Sequence, residues 1–151
     1  MSQLSLAEHA AVAVDELAWK AGVRAGCDVI DVPHFKERLA RTPALRQRIF
    51  SEQELADAAR GDVEPGSDVE IRRLAARAAA KEAAYKAFAM TGLRFRDVEV
   101  VTDEAGAPHL TLFGQWANAS VSLSHDGDVA MAVVISTPDA DVPNPLDLHR
   151  L

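Results

Sequence analysis

Two acids and a lysine have the side chains and the spacing best suited to chemistry. Asp28 lies within the apolar run Val23–Val32, where an unpaired carboxylate would be costly to bury. Glu82 and Lys86 are one turn apart on a predicted helix, so they share a face. Such residues can hold a metal ion through carboxylates and a phosphate through an ammonium group. The structural alternatives are an exposed position on an edge strand for Asp28 and a surface ion pair, worth a few tenths of a kcal/mol, for Glu82 and Lys86.

Further cationic and hydroxyl side chains lie in two other segments. Arg77 and Lys81 are also one helical turn apart and add two cations to the same predicted helix. Ser124 and His125 come at the end of a predicted strand and lead into a turn. A lone histidine in a turn more often forms a hydrogen-bonded cap than a metal site. The other four histidines have no metal-ligand spacing to His125, so we do not expect zinc.

The elements that must position these residues are a strand and a long helix. The run Val23–Val32 predicts a strand, which Pro33 should stop. The long helix is predicted over residues 69–90, with Ser67 or Asp68 as its cap and Gly92 at its end. Nine alanines between Ala75 and Ala89 keep this helix thin, so a strand can approach it closely.

The remaining sequence predicts helices in the first half and hairpins in the second. An amphipathic helix is expected over residues 1–22, a basic helical stretch interrupted at Pro43 over 34–48, and a helix from the Ser51–Glu54 capping box. The hairpins are predicted to pair Asp97–Thr102 with His109–Phe113, and Val121–Ser124 with Val129–Ser136 around a turn at 125–128. Residues 137–151 resemble a loose Pro-rich tail. This order predicts an α+β fold, with a small antiparallel sheet packed on the long Ala-rich helix.

Length and composition limit the class of protein. A chain of 151 residues is expected to form one domain of ordinary size with a real core. The single cysteine, Cys27, excludes a disulfide framework, and no apolar run approaches the roughly 18 residues of a membrane span. We find no secretion signal and expect a cytoplasmic protein. A net charge of −7 argues against sequence-independent binding of nucleic acid.

Taken in order, three motifs resemble those of the 4′-phosphopantetheinyl transferases. They are Gly26-x-Asp28, Lys81-Glu82-Ala83-Ala84-x-Lys86-Ala87 and Ser122-x-Ser124-His125. The segment Thr102-Asp103-Glu104-Ala105-Gly106-x-Pro108 is similar to the holo-acyl-carrier-protein synthase subgroup. The resemblance covers residues 23–136, so we expect a transferase domain there, between an N-terminal helical extension (1–22) and the tail (137–151).

The resemblance implies a magnesium-dependent transfer of 4′-phosphopantetheine from coenzyme A to a serine of an apo acyl carrier protein, with adenosine 3′,5′-bisphosphate released. It also implies a homotrimer with active sites between subunits. Asp28 and Glu82 would be the magnesium ligands, Lys86 would contact the diphosphate, and Glu82 is the candidate acceptor of the serine proton. The implied coenzyme A contacts are Arg77, Lys81, Lys86, Gly106, Pro108, Ser124 and His125.

One basic stretch stands out in this acidic chain and predicts a docking surface for the carrier. Its cations are Lys36, Arg38, Arg41, Arg46 and Arg48. Carrier proteins of this kind are acidic, so opposite charges would orient the encounter; a merely solvated helix face is the alternative. The carrier could serve fatty-acid, polyketide or peptide synthesis.

Two departures from the family pattern favour a second hypothesis. The family usually has an aromatic residue where Ala78 stands, and often an arginine where His34 stands. A degenerate relative that binds coenzyme A or a carrier without turnover would tolerate such changes, whereas the presence of both acids and Lys86 favours the enzyme. The third possibility, a soluble α+β domain with an incidental salt-bridged helix, requires the motif order to be accidental.

Overall fold

The computed structural model describes residues 22–137. These residues form six strands and four α-helices, which we number along the chain. The strands are β1 (Arg24–Asp31), β2 (Val98–Thr102), β3 (Pro108–Leu112), β4 (Gln115–Trp116), β5 (Ala119–Asp126) and β6 (Val129–Ser136). The helices are α1 (Val32–Arg41), α2 (Leu45–Ile49), α3 (Glu52–Ala58) and α4 (Asp68–Phe88), and a short 3₁₀ turn covers Phe95–Asp97.

The predicted α+β class is confirmed, but there are two antiparallel sheets rather than one. β1, β6 and β5 form the first sheet in that order, and β2, β3 and β4 form the second. Helix α4 packs against both of them, and alanines on several of its sides are completely buried. Because alanine side chains are small, both sheets can pack closely against this one helix.

Pro33 starts a helix as well as ending a strand. β1 stops at Asp31, whose Oδ1 accepts a hydrogen bond from the His34 backbone N–H at 2.8 Å and so caps α1. Pro33 lies in the first turn of that helix, where its missing N–H costs nothing. The interruption predicted at Pro43 is confirmed, because α1 ends at Arg41 and α2 begins at Leu45.

Both predicted caps of the later helices are found, and the long helix ends earlier than expected. Ser51 and Glu54 form the capping box of α3, and the Ser67 side chain caps α4. The expected stop at Gly92 is wrong: α4 ends at Phe88 because Ala89 adopts the left-handed conformation, with φ of 51°. A non-glycine residue with positive φ gives no signal in the sequence.

The second hairpin is longer than predicted. His125 and Asp126 belong to β5 rather than to the turn, and pair with Ala130 and Val129. The short strand β4 was not predicted. The expected N-terminal helix and Pro-rich tail lie, apart from Gly22 and Thr137, outside the described residues. Within residues 22–137, no helix is both long and apolar enough to cross a membrane.

Candidate active site

Gly26 brings β1 into direct contact with α4. A Cβ atom at this position would lie 2.1 Å from the carbonyl oxygen of Ala83 and 2.8 Å from the backbone nitrogen of Ala87. Only a glycine allows such an approach, because the atoms it meets are helix backbone and the Cβ of Lys86, at 2.9 Å, and none of them can swing aside. Gly26 thus fixes the distance between the strand and the helix that carry the two acids.

Asp28 faces the helix, although β1 is an edge strand. Alternation along the strand puts it on the same face as Gly26, and its side chain is only 21% exposed. Lys86 reaches over from α4: its Nζ donates to the Asp28 Oδ1 at 3.1 Å and to the Cys27 carbonyl at 2.7 Å. The exposed-edge explanation of Asp28 is therefore wrong, and Lys86 pairs with Asp28 instead of forming the surface pair with Glu82.

The electrostatics of the pair of acids suit a cation. Burial raises the pKa of Glu82, and the negative charge of Asp28 raises it further, while Lys86 opposes the shift. The hydrogen bond to Asp28 is the main reason that the pKa of Lys86 is also raised. Two carboxylates that repel each other are a typical donor set for Mg²⁺, which usually takes one or two protein carboxylates together with substrate phosphates. Among residues 22–137, no group of three or more His, Cys, Asp or Glu side chains is arranged to hold a metal ion by itself.

The surroundings of Lys81 do not fit the coenzyme A contact that the resemblance implies. Its side chain is completely buried, and its Nζ lies 2.7 Å from Glu54 Oε2. The same ammonium donates to the carbonyls of Phe95 at 2.9 Å and Val98 at 2.6 Å. All three N–H donors of the lysine are thus used inside the protein. Burial lowers its pKa, and Glu54 opposes that shift.

Arg77 lies on another side of α4 from the acids. Arg77 and Glu82 are five positions apart, which corresponds to a rotation of about 140° around the helix axis. Its Nη2 donates to the Thr102 hydroxyl at 3.4 Å, and Thr102 pairs with Pro108 across the hairpin that contains Gly106. Arg77 is 8% exposed and its Nε has no hydrogen-bond partner among the described residues. Burial is the main reason that its pKa is lowered.

Ser124 and His125 lie at a third place, near the end of β5. Two strand spacings separate β5 from β1 across β6, so His125 is roughly 10 Å from the Asp28 strand. Both side chains are exposed. Within one chain, the predicted site residues therefore fall into separate groups: the acids with Lys86, Arg77 with the Gly106–Pro108 hairpin, and the β5 pair.

A cleft of about 950 Å³ opens beside Glu82. Its apolar floor includes Ala78, and arginines stand at its rim. The apolar lining residues are Val29, Ile30, Phe35, Leu45, Ile49, Ala78, Leu93 and Phe95, the arginines are Arg38, Arg48 and Arg94, and Asp31, His34 and Tyr85 complete the lining with Glu82. Sequence reasoning missed Arg94, which comes from the turn after α4; the repeated basic residues of Arg94-Phe95-Arg96 were its only signal.

The predicted docking stretch divides into free and paired cations. Lys36 forms an ion pair with Asp68 at 2.7 Å, and Arg46 a two-bond ion pair with Glu70 at 2.8 and 2.9 Å. The three exposed arginines of the stretch form no ion pair within residues 22–137; they are Arg38, Arg41 and Arg48.

The comparisons with known proteins identify the class of protein that this fold and site define. Residues 24–134 match the model of the 4′-phosphopantetheinyl transferase superfamily, and the chain belongs to that superfamily. It is similar to the holo-[acyl-carrier-protein] synthase of Salinispora arenicola, with 43% identity over 124 residues, which cover 76% of this chain and 97% of the relative.

Solved structures agree with this assignment. The acyl carrier protein synthase of Mycobacterium tuberculosis is 35% identical with a TM-score of 0.56, and the match covers 76% of this chain and 97% of that one. A synthase–coenzyme A complex from Chronobacterium ammoniagenes is 28% identical with a TM-score of 0.64, and the match covers 78% and 98%.

A methyl group at Gly26 should damage both the fold and the site. We expect Gly26→Ala to cost about 1–3 kcal/mol of unfolding free energy, since β1 must move away from α4 to make room. The same movement should separate Asp28 from Lys86 and reduce turnover. Urea denaturation and a transfer assay measure the two effects, with Ala25→Ser on the opposite face of β1 as control. Wild-type stability in Gly26→Ala would contradict the close contact.

Proposed function

We propose that this protein transfers the 4′-phosphopantetheine group of coenzyme A to a serine of an apo acyl carrier protein. The observation that carries the proposal is the convergence of Asp28, Glu82 and Lys86 where Gly26 brings β1 against α4. The relatives named holo-[acyl-carrier-protein] synthase support it, as does a related structure in complex with coenzyme A. We assign the transferase unit to residues 23–136.

We infer that Asp28 and Glu82 would hold Mg²⁺. Their donor chemistry fits, and a cation between them would relieve the repulsion that contributes to the raised pKa of Glu82. When bound, the ion would neutralise charge on the diphosphate during transfer. Lys86 supports the same task, since its side chain is half exposed and its ammonium lies beside Asp28.

The transfer then needs one proton acceptor and one leaving group. The serine oxygen of the carrier forms a bond to the β-phosphorus, and the bond from that phosphorus to the bridging oxygen breaks, which releases adenosine 3′,5′-bisphosphate. We assign the serine proton to the Glu82 carboxylate. This carboxylate lines the open cleft through which a serine can approach.

The nucleotide end of coenzyme A would be held by the other predicted residues. We propose that Arg77 and His125 contact the nucleotide and its 3′-phosphate, with Gly106, Pro108 and Ser124 nearby. The buried, unpartnered Nε of Arg77 supports a role in anion binding. Lys81 has no free donor for this task and is assigned to the interior.

The separation of these groups in one chain supports a homotrimer with shared sites. The outer face of the first sheet also leaves Val29, Met131 and Ile135 exposed by 58%, 40% and 45%. Such a strip of apolar side chains is typical of a covered interface. Light scattering at micromolar concentration is expected to give three times the chain mass, and a monomer would contradict the assembly.

The exposed arginines of α1 are proposed to dock an acidic carrier. Reversing Arg38 and Arg41 to glutamate should raise the KM for the carrier by about tenfold or more, because complementary charges guide association. The KM for coenzyme A should change little, since its phosphates bind elsewhere. Steady-state kinetics at low and high salt measure this, and screening should reduce the difference. Equal increases in both KM values would contradict the docking role.

Mass spectrometry tests the proposed function directly. An apo carrier incubated with the protein, coenzyme A and Mg²⁺ should gain the mass of one phosphopantetheinyl group. Binding of carrier or coenzyme A without a mass gain would instead support the non-catalytic binding module, which Ala78 and His34 favour.

A further inference from the structure

The turn after α4 adds a second basic wall to the cleft, beside α2. Arg94 lines the cleft together with Arg38 and Arg48. Arg96 extends the same wall, because it lies with Arg48 and Arg94 around an adjoining hollow of about 340 Å³. Its Nη1 donates to the Gln47 carbonyl at 3.3 Å, which joins the turn to α2. Arg48, Arg94 and Arg96, which come from distant parts of the sequence, therefore lie together at the rim of the cleft.

This turn is held firmly against the long helix. The buried Lys81 donates to the carbonyls of Phe95 and Val98, at 2.9 and 2.6 Å. Tyr85 donates a hydrogen bond to the Leu93 carbonyl, and its ring packs edge-on against Phe95 with centroids 5.7 Å apart. A wall fixed at several points loses little conformational entropy when a partner binds.

The chemistry of the cleft favours one kind of partner. Apolar side chains and three arginines make up most of its lining, in a chain of net charge −7, and Asp31 and Glu82 are its acidic residues. Asp97 neutralises part of the wall through a 2.9 Å ion pair with Arg94, yet the Arg94 side chain remains 83% exposed. An amphipathic helix with carboxylates on both sides of an apolar side chain complements both features.

We propose that Arg94 and Arg96 are specificity-determining residues that bind carboxylates on an amphipathic helix of the carrier protein. The inference rests on the proposed function and adds a second docking wall to it. The apolar side chain of that helix enters the cleft over Ala78, and Glu82 lies in the same lining, so the docked carrier reaches the acids. Lys81 is thereby a positioning residue for the wall, through the carbonyls of Phe95 and Val98.

Charge reversal tests the second wall against a matched control. Arg94→Glu and Arg96→Glu should each raise the KM for an apo acyl carrier protein about tenfold, and the KM for coenzyme A should stay within about twofold. Arg24→Glu makes the same charge change at the far end of β1, outside the cleft lining, and should leave both constants near wild type. Arg94→Lys and Arg96→Lys keep the charge and should retain most of the carrier affinity.

The outcomes separate this inference from the proposed function. If the wild-type protein transfers no phosphopantetheine, the proposed function fails. If it does, and the two reversals change the KM for the carrier no more than Arg24→Glu does, the second wall is wrong. Parallel increases in both KM values, or a loss of carrier binding in the lysine variants equal to that in the glutamate variants, would also overturn it.

Discussion

Glu82→Gln and Asp28→Asn should each lower magnesium-dependent turnover by about 100-fold or more. Both changes keep the size of the side chain and remove a negative charge that a divalent cation needs. Asp28→Asn also removes the negative charge that Lys86 pairs with at 3.1 Å, so only a neutral amide oxygen is left to hold that lysine. Initial rates over a range of Mg²⁺ concentrations should show a raised requirement for the metal as well as a lower maximum.

The fold should survive both substitutions. Glu82 is only partly buried and has a raised pKa, so replacing its charge by an amide removes a repulsion and does not break an ion pair. Thermal unfolding near the wild-type temperature would show that the loss is chemical. Glu64→Gln, in the exposed loop before α4, makes the same amide change as a control. Near-normal activity of Asp28→Asn would refute the metal assignment.

Lys81→Met is expected to destabilise the protein by about 3–5 kcal/mol, the typical cost of removing one partner of a buried ion pair. Glu54 would stay buried with an uncompensated charge, and the carbonyls of Phe95 and Val98 would lose their donor. Urea denaturation measures the change. Lys86→Met, which removes the ammonium of a half-exposed side chain, should cost far less stability.

The comparison of these two lysines also distinguishes a structural role from a binding role. Activity of Lys86→Met should fall sharply although its stability is kept. At a temperature where Lys81→Met is still folded, its KM for coenzyme A should be close to wild type. A stable Lys81→Met variant with a greatly raised KM for coenzyme A would instead support the coenzyme A contact implied by the family resemblance.

The candidate catalytic residues could be predicted from the sequence because the patterns that mark them are local. Asp28 is conspicuous as an acid in an apolar strand, and Glu82 and Lys86 share a helix face by their spacing alone. Gly26 and the alanines of α4 carry the signal for a close approach, although which alanines meet the glycine depends on the tertiary fold. The capping box at Ser51 was likewise complete within four residues.

The missed features depend on contacts between distant segments. Glu54 already had a sufficient local explanation as a capping residue, so nothing marked it as the partner of Lys81, 2.7 Å away. Lys36 and Arg46 look like free surface cations until α4 brings Asp68 and Glu70 to them. Arg94 becomes a rim residue only because Lys81 and Tyr85 hold its turn against the helix. Neither hydrophobic periodicity nor residue spacing indicates such contacts between distant segments.

The pairing of β1 with β6 has a consequence for biosynthesis. β1 is the first described strand to leave the ribosome, yet its neighbour in the sheet is the last one, with Arg24 opposite Ser136. Without β6, the strand that carries Asp28 has no sheet to join, so it cannot settle against α4 in its final register. The acids should therefore come together only after translation of β6, and closing so long a loop makes this a slow step of folding. Nascent chains that end before β6 should be inactive and exposed to chaperones.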